Sequence, residues 1–248
     1  MTDRLRLDGQ AAFVTGGGGG IGRAIAIRLA EAGADVAIFD IVAERAEEAA
    51  ARVRETGRQA LAIAGDVMDS EALKAAIDRC AATFGRLDIL VNNAGGVSRR
   101  PFMDQSERSM RKHIEINLMS ILIATQEAAR HMIKGGRGGA IVNVASIEAS
   151  RAAPNFAVYA ACKAGMVSFT RTMAVELAEH GIRVNCIAPD HTVTPGTQGN
   201  RAGPVDPASW TTRSGEEIDA MNRLIPLGRE GVDLECGDAA VFLASAMS

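Results

Sequence analysis

The chain has 248 residues, of which 47% are hydrophobic, so it is long enough to bury one sizeable core. Its formal net charge is −3 and its pI is near 5.9, which argues against a nucleic-acid partner because such proteins normally carry a basic face. No apolar run reaches the ~18 residues expected of a membrane span, and the first residues contain no hydrophobic signal segment, so we expect a cytoplasmic protein without membrane contact.

Cysteine and histidine spacing gives no sign of disulfides or of a metal site. The four cysteines are far apart in the chain, and no two histidines show the His-x-x-x-His spacing. We therefore expect reduced thiols and no bound metal. No linker, charge run or internal repeat divides the sequence, which predicts a single domain over residues 1–248.

A run of five glycines follows the first predicted strand, Ala11–Thr15, and precedes a predicted helix over residues 21–32. A glycine-rich turn between a strand and a helix lets the backbone approach a pyrophosphate, whose charge the helix amino terminus favours. Three nucleotide-binding patterns fit the run, and the glycines alone leave the choice open. The patterns use Gly17, Gly19 and Gly22; Gly16, Gly19 and Gly22; or Gly16, Gly20 and Gly22.

The second predicted strand, Asp35–Asp40, ends in a carboxylate about twenty residues beyond the glycines, where such a group binds an adenosine ribose. Asp40 can accept hydrogen bonds from the ribose hydroxyls and would repel a 2'-phosphate. The next residue is Ile41, so no adjacent base is available to bind that phosphate. The pattern therefore predicts NAD as the cofactor, although Asp40 can also serve as the N-cap of the following helix.

Strands and helices then alternate regularly. We predict a helix over residues 43–56, a strand over 60–64 followed by Asp66 and Val67, a helix capped by Ser70 that runs to about residue 84, and a strand over 87–91. The small residues that follow, Asn92-Asn93-Ala94-Gly95-Gly96, let the backbone pass close to a flat ligand. This alternation predicts an α/β fold: a doubly wound, Rossmann-type parallel sheet with helices on both faces.

The next segments place polar side chains at the ends of apolar elements. Two helices are predicted over residues 106–134, where Asn117 lies on an apolar stretch and is explained equally well as a satisfied core amide. The strand predicted over 140–145 ends at Ser146. In the helix predicted over 159–173, Tyr159 and Lys163 share one face. The ammonium is expected to lower the phenol pKa from ~10, although this spacing also occurs by chance in many helices.

The composition changes after the sixth predicted strand, residues 182–188, which Pro189 ends. Residues 190–215 are rich in Thr, Gly, Pro, Asn and Asp and include the only tryptophan, Trp210. A long loop in a compact domain is usually a functional lid or a disordered segment. We predict a substrate lid at about residues 190–224, with short helices over 216–224 and 234–246.

With these residues placed, the chain resembles the short-chain dehydrogenase/reductase family, in its compact single-domain branch. The resemblance covers nearly the whole sequence and rests on motifs that are specific in combination: Thr15-Gly16…Gly20-Ile21-Gly22, Asp66-Val67, Asn92-Asn93-Ala94-Gly95, Asn117, Ser146 and Tyr159…Lys163. The thirteen-residue step from Ser146 to Tyr159 also matches this branch and favours the T-G-x-x-x-G-x-G pattern.

The resemblance implies a role for each of these residues. It implies that Tyr159 is the general acid in carbonyl reduction and the general base in alcohol oxidation, while Lys163 lowers its pKa and binds the nicotinamide ribose. Ser146 is implied to hold the substrate oxygen, and Asn117 to position water in a proton relay. The implied cofactor contacts are Gly16, Gly20, Ile21 and Gly22 at the pyrophosphate, Asp66 and Val67 at the adenine, Asn93, Ala94 and Gly95 along the cleft, and Pro189, Thr192 and Thr194 near the carboxamide.

Two departures from the family pattern are visible. The family usually has Pro-Gly after the sixth strand, whereas this chain has Pro189-Asp190-His191. The added carboxylate and imidazole are expected to alter the substrate pocket or its pKa values. The family also normally adds a further edge strand, often used in tetramer contacts, after a helix like residues 239–246. The sequence given ends at Ser248, before the position of such a strand. The resemblance still implies a homotetramer or homodimer.

The leading interpretation is an NAD-dependent alcohol dehydrogenase or ketone reductase that acts on a small molecule. One alternative is a 3-oxoacyl-thioester reductase, which normally favours NADPH, and Asp40 argues against it. The other is a non-catalytic nucleotide-sensing protein on the same fold, which has little reason to keep a serine, tyrosine and lysine together. The candidate substrate-pocket residues are Val97, Glu148, Phe156, His191 and Trp210.

Overall fold

A six-stranded parallel sheet forms the centre of the protein, as seen in a computed structural model that describes residues 3–197 and 214–248. In chain order its strands are β1 (Ala11–Thr15), β2 (Asp35–Asp40), β3 (Ala60–Ala64), β4 (Ile89–Asn92), β5 (Gly139–Val144) and β6 (Ile182–Ile187). The inner strands β1, β2, β4 and β5 are almost wholly buried. Both faces of the sheet are covered, which explains why these strands are continuous apolar runs.

Eight α-helices and one small ribbon accompany the sheet in the described part of the chain. The helices are α1 (Gly20–Glu31), α2 (Ala43–Glu55), α3 (Ser70–Phe84), α4 (Glu107–Ile114), α5 (Ser120–Gly135), α6 (Ala157–Glu176), α7 (Gly215–Asn222) and α8 (Asp233–Ala244). Two short strands, β7 (Thr192–Val193) and β8 (Gly231–Val232), pair in parallel. No helix among the described residues is long and apolar enough to cross a membrane.

The hydrophobic core consists of two layers, one on each face of the sheet. Side chains of α1, α2 and α8 pack on one face around Ile25, Leu29 and Val53. Side chains of α3, α5 and α6 pack on the other around Ile77 and Met132. The predicted α/β fold with helices on both faces is confirmed.

The strand order creates a crevice between β1 and β4. The order across the sheet is β3-β2-β1-β4-β5-β6, so the chain first moves outward from β1 and then returns to β1's other side. In sheets of this kind, ligands bind at such a reversal, outside the carboxyl ends of the strands. The glycine turn that follows β1 and the small residues that follow β4 therefore meet at this crevice.

Most predicted element bounds agree with the structure to within three residues, but two helix starts differ. Asp69, rather than Ser70, is the N-cap of α3, and its carboxylate accepts from the N–H groups of Glu71 and Ala72. The N-cap of α2 is Val42; Asp40 accepts from the Val42 N–H at 3.0 Å but is not the cap. At α3 the neighbouring polar residues Asp69 and Ser70 both suit a helix start, and the backbone path selects Asp69. At α2 the cap residue is apolar and no side chain caps the helix.

Candidate active site

The predicted catalytic tyrosine and lysine lie one turn apart near the amino end of α6. Tyr159 is half-buried and Lys163 is buried, and the Lys163 Nζ lies 5.7 Å from the centroid of the phenol ring. The ammonium donates a hydrogen bond of 2.7 Å to the carbonyl of Val144, the last residue of β5. α6 thus brings a phenol and a buried cation to the carboxyl edge of the sheet.

Burial governs the pKa values of both groups. It lowers the pKa of Lys163 to about 8. Burial also raises the pKa of Tyr159, the negative charge of Glu148 raises it further, and a hydrogen bond with Ser146 only partly offsets these effects. In the ligand-free protein the pKa of Tyr159 is therefore raised, not lowered as the sequence predicted. The ammonium is directed at the Val144 carbonyl, and desolvation of the phenol dominates.

Ser146 joins this pair from the end of β5. It is buried and has an extended backbone, and it is the N-cap of a short 3₁₀ helix, Ile147–Ala149. Its hydroxyl is hydrogen-bonded to Tyr159 and to the carboxylate of Glu148. The sequence-predicted Ser146, Tyr159 and Lys163 are thus brought together.

Asn117 lies in a π-helical turn, Glu115–Met119, between α4 and α5. Its side chain is fully buried; it donates to the carbonyls of Gly96 and His113 and accepts from the Gly96 N–H. A Cβ on Gly95 would lie 2.9 Å from the Asn117 Oδ1 and 3.6 Å from the Lys163 Nζ. The amide therefore fixes the loop beside Lys163. Its part in a water relay stays a prediction, and π turns are frequent at functional sites.

A side chain does not fit at several positions of the glycine turn. Gly16 and Gly20 have φ values of +60° and +49°, a region that other residues rarely adopt. A Cβ on Gly22 would lie 2.1 Å from the Gly16 carbonyl oxygen. Gly19 is extended instead, and the nearest atom to a Cβ there would be 3.6 Å away. Gly16, Gly20 and Gly22 are therefore more constrained than Gly19.

Gly22→Ala is expected to weaken dinucleotide binding by at least about tenfold, because the added methyl displaces the Gly16 backbone and overpacking of this kind is unfavourable. The measurement is the Kd for NADH by fluorescence titration. Gly19→Ala is the matched control and is expected to bind within about threefold of the unchanged protein. Equal weakening by the two substitutions would contradict the steric argument.

Asn93 and Ala94 fasten the glycine turn to the end of β4. The Nδ2 of Asn93 donates to the carbonyls of Thr15 and Gly16, both at 3.0 Å. The Thr15 hydroxyl accepts from the N–H groups of Asn93 and Ala94 at 3.0 and 3.1 Å. Thr15 appeared in the sequence only as part of the glycine motif, yet its hydroxyl joins the two sides of the crevice.

Asp40 is buried at the end of β2, and its carboxylate accepts from the Gly18 N–H at 2.9 Å. The neighbouring Ile41 is exposed, but Arg45, in the first turns of α2, is buried against the same glycines. A Cβ on Gly18 would lie 2.7 Å from the Arg45 Cβ, and one on Gly19 would lie 3.6 Å from its Nη1. A base therefore lies beside the predicted ribose site. The sequence predicted no base here because Ile41 follows Asp40, but Arg45 reaches the site from one turn further along α2.

The predicted adenine contacts follow β3. Asp66 is half-buried, and its Oδ1 accepts from the Met68 N–H at 2.9 Å. The Val67 side chain is packed in the core. Val67 can therefore contribute to a ligand site through its backbone, and not by laying its side chain against an adenine.

The segment after β6 reaches both ends of the crevice. The Pro189 carbonyl accepts from the Ile147 N–H at 3.2 Å, next to Ser146. Thr192 is buried at the start of β7. The Thr194 Cβ is 2.9 Å from the position where Gly20 would carry a Cβ. Thr194 thus packs on the glycine turn, whereas Pro189 lies beside the serine loop.

Of the predicted substrate residues, Phe156 and Glu148 lie beside Tyr159 and Ser146. The Phe156 ring centroid is 6.2 Å from that of Tyr159, and the guanidinium of Arg99, which the sequence did not single out, lies 4.9 Å above the Phe156 ring. Val97 is half-buried on the same loop as Arg99.

The other two predicted substrate residues are His191 and Trp210. The Nδ1 of His191 lies 2.6 Å from the Glu230 carboxylate. The same two segments are joined where the Gly231 N–H donates to the His191 carbonyl at 2.9 Å. His191 is therefore held to the β7–β8 ribbon. Trp210 lies outside the described residues.

A cluster of potential metal ligands also occurs away from the motifs. One ligand atom from each of Asp78, Glu127 and His131 lies within 4.8 Å of the others, on α3 and α5. The His131 Nε2 lies 2.6 Å from the Asp78 Oδ1, within hydrogen-bond distance, and the Glu127 carboxylate forms an ion pair with Arg130 at 2.8 Å. The contact between Asp78 and His131 joins α3 to α5, and this structural role accounts for the cluster without a metal.

Comparison with known proteins shows the family to which the chain belongs. A family model described as short chain dehydrogenase matches residues 10–204. The 2-dehydro-3-deoxy-D-gluconate 5-dehydrogenase of Escherichia coli K12 is 37% identical, over 98% of this chain and 90% of the relative. The D-threitol dehydrogenase of Mycolicibacterium smegmatis is 40% identical, over 97% and 88%.

A solved structure is similar along almost the whole chain. It is a 7α-hydroxysteroid dehydrogenase complexed with NADH and 7-oxo glycochenodeoxycholic acid. Its TM-score is 0.90 at 36% sequence identity, covering 99% of this chain and 91% of that one.

Proposed function

Because the chain belongs to the short-chain dehydrogenase family, we propose that Tyr159 is the general acid and base of its hydride transfer. The transfer runs between a nicotinamide dinucleotide and a secondary alcohol or the corresponding ketone. The observation that supports this assignment is the hydrogen-bonded contact of Tyr159 with Ser146, one helical turn from the buried Lys163.

The three side chains have separate tasks in the proposed mechanism. Tyr159 takes the hydroxyl proton in alcohol oxidation and returns a proton to the oxygen in ketone reduction. Ser146 donates a hydrogen bond to the reacting oxygen. The charge of Lys163 favours the phenolate as it forms. Since the pKa of Tyr159 is raised, the neutral phenol predominates at neutral pH, which suits reduction, and oxidation should become faster as the pH rises.

The glycine turn suits the pyrophosphate of a dinucleotide because it lies at the amino end of α1, where anions are favoured. Its glycines let the turn pack closely: a Cβ on Gly16, Gly20 or Gly22 would collide with Ala94, Thr194 or the Gly16 carbonyl and displace the turn. Ile21 belongs to the same turn. The remaining proposed contacts are Asp40, Asp66, Val67, Asn93, Ala94, Gly95, Pro189, Thr192 and Thr194. When bound, the nicotinamide ring accepts or donates the hydride.

The function is tested by turnover of secondary alcohols with NAD, measured as NADH formation, and of ketones with NADH. Activity on any member of such a panel is expected. Absence of turnover in both directions would overturn the proposed function. The homo-oligomer, the cytoplasmic location and the lid at about 190–224 stay predictions.

The proposed cofactor preference is NAD(H). A carboxylate ~4 Å from one unit of phosphate charge is unfavourable by ~4 kcal/mol at an effective dielectric near 20. This amounts to up to about 10³-fold against NADPH. Asp40→Ala is expected to weaken the preference, and kcat/KM ratios for NADH and NADPH measure it.

Arg45→Ala provides the comparison. Loss of a cation beside the same turn should increase the ratio of kcat/KM for NADH to kcat/KM for NADPH, whereas Asp40→Ala should decrease it. Equal kcat/KM for NADH and NADPH in the unchanged protein would contradict the preference for NAD(H).

A further inference from the structure

A carboxylate lies directly against the hydroxyl that is proposed to hold the substrate oxygen. The Oε2 of Glu148 accepts a hydrogen bond from the Ser146 Oγ, and the Glu148 N–H donates to the same oxygen at 3.4 Å. The Glu148 side chain is only 14% exposed. The proposed hydride transfer does not use this carboxylate, so its position calls for another explanation.

Ser146 has a single proton to donate. To hold the oxygen of a substrate, its hydroxyl must turn away from Glu148. Glu148 then loses a donor while it remains largely shielded from water, and an ionised acceptor left without its donor is unfavourable. A substrate that brings its own donor to Glu148 avoids this loss.

Arg151 and Asp190 hold the carboxylate in place. Arg151 Nη2 donates to the other oxygen of Glu148, Oε1, at 2.8 Å and also lies 3.4 Å from the Asp190 Oδ1. Burial alone would raise the pKa of Glu148, but hydrogen bonds from Ser146 and Arg151 outweigh it, and the pKa is lowered. The departure from the family pattern at Asp190 is thus part of one arrangement that presents Oε2 to Ser146.

We propose that the substrates of this site are vicinal diols or polyols whose second hydroxyl donates a hydrogen bond to Glu148 in place of Ser146. This inference rests on the proposed function, because it takes Ser146 and Tyr159 as the groups that bind the reacting oxygen. The reacting carbon loses a hydride to the nicotinamide, its hydroxyl proton goes to the phenolate form of Tyr159, and the product is an α-hydroxyketone. The second hydroxyl keeps its proton. A substrate carboxylate at that position is repelled by Glu148.

The expected preference follows from the strength of a hydrogen bond to an ionised group. For alcohols with the same carbon skeleton, we expect kcat/KM to be about ten- to hundredfold higher for a vicinal diol than for the mono-alcohol. Cyclohexanol and the cis and trans isomers of 1,2-cyclohexanediol provide such a set.

The experiment measures kcat/KM for these alcohols with NAD in the unchanged protein and in two variants. Glu148→Leu keeps a similar volume and removes the acceptor, so the diol preference is expected to fall to within about threefold, chiefly through slower diol oxidation. Glu148→Gln keeps an amide oxygen that accepts a hydrogen bond, so part of the preference should remain.

Glu127→Leu on α5 is the matched control. The Glu127 side chain is also 14% exposed and is paired with an arginine three residues later at 2.8 Å, as Glu148 is. The diol preference should be unchanged in this variant. The Kd for NADH should be unchanged in Glu148→Leu, which separates loss of recognition from damage to the fold.

Two results would overturn the inference while leaving the proposed function intact. One is an equal or higher kcat/KM for cyclohexanol than for both diols in the unchanged protein. The other is a diol preference that survives in Glu148→Leu. If the unchanged protein oxidises no alcohol and reduces no ketone, the proposed function fails and the diol assignment fails with it.

Discussion

Replacement of Tyr159 by phenylalanine is expected to lower kcat/KM by about 10² to 10⁴-fold, the usual contribution of a general acid or base. The substitution removes one oxygen and leaves the ring, so the contact with Phe156 at 6.2 Å and the packing of α6 are retained. The Kd for NADH and the Tm should therefore change little. Steady-state kinetics in both directions, with NADH titration and thermal unfolding, measure these quantities.

The chain offers a direct check on the state of this phenol, because Tyr159 is its only tyrosine. Ultraviolet titration of the phenolate therefore reports on one group, and the signal should disappear in Tyr159→Phe. The ligand-free protein should titrate above the ordinary value of 10.0, since burial raises the pKa. Near-normal turnover in Tyr159→Phe would rule out the assignment, and a titration below 10.0 would contradict the role given to burial.

The fold and the group of catalytic candidates were predictable because they depend on local order in the sequence. β1, β2 and β3 were predicted with the bounds that the structure shows, since each is an apolar run between residues that favour turns or helix starts. Parallel strands place their carboxyl ends at one edge. Polar residues that follow different strands, such as Asn93 and Ser146, therefore lie at the same edge although they are far apart in sequence.

The contacts that tune the site were less predictable because they join segments that no motif relates. Arg151 connects Glu148 to Asp190 across the β5 and β6 loops. Arg45 reaches the glycine turn from α2. The contacts of Arg151 with Asp190 and of Arg45 with the glycine turn depend on how far a long side chain extends and on where loops approach each other, and neither follows from residue spacing.

Lys163→Met is expected to lower kcat/KM by about 10² to 10³-fold, the loss typical of removing one charged group that stabilises a transition state. The substitution keeps an unbranched side chain of similar length, so the packing beneath Tyr159 is preserved. The buried ammonium and its hydrogen bond to the Val144 carbonyl are lost. Lys134→Met, on the exposed surface of α5, is the matched control and should retain full activity.

The same substitution should change how stability depends on pH, which separates the charge of Lys163 from its shape. Burial lowers its pKa from 10.5 to about 8 in the folded protein, so between these values the unfolded chain binds more protons than the folded one. Stability therefore rises with pH across this window. The rise is at most about 3 kcal/mol, at ~1.4 kcal/mol for each pKa unit. Urea unfolding at pH 7, 8.5 and 10 measures this increment as a difference, because the buried Cys80 thiol, whose pKa is raised to about 12, lowers stability above pH 9 in every variant. Stability is expected to rise more with pH, by this increment, in the unchanged protein and in Lys134→Met than in Lys163→Met. The same pH dependence in all three proteins would mean that Lys163 titrates as it does in water, and that its part in catalysis does not arise from a buried charge.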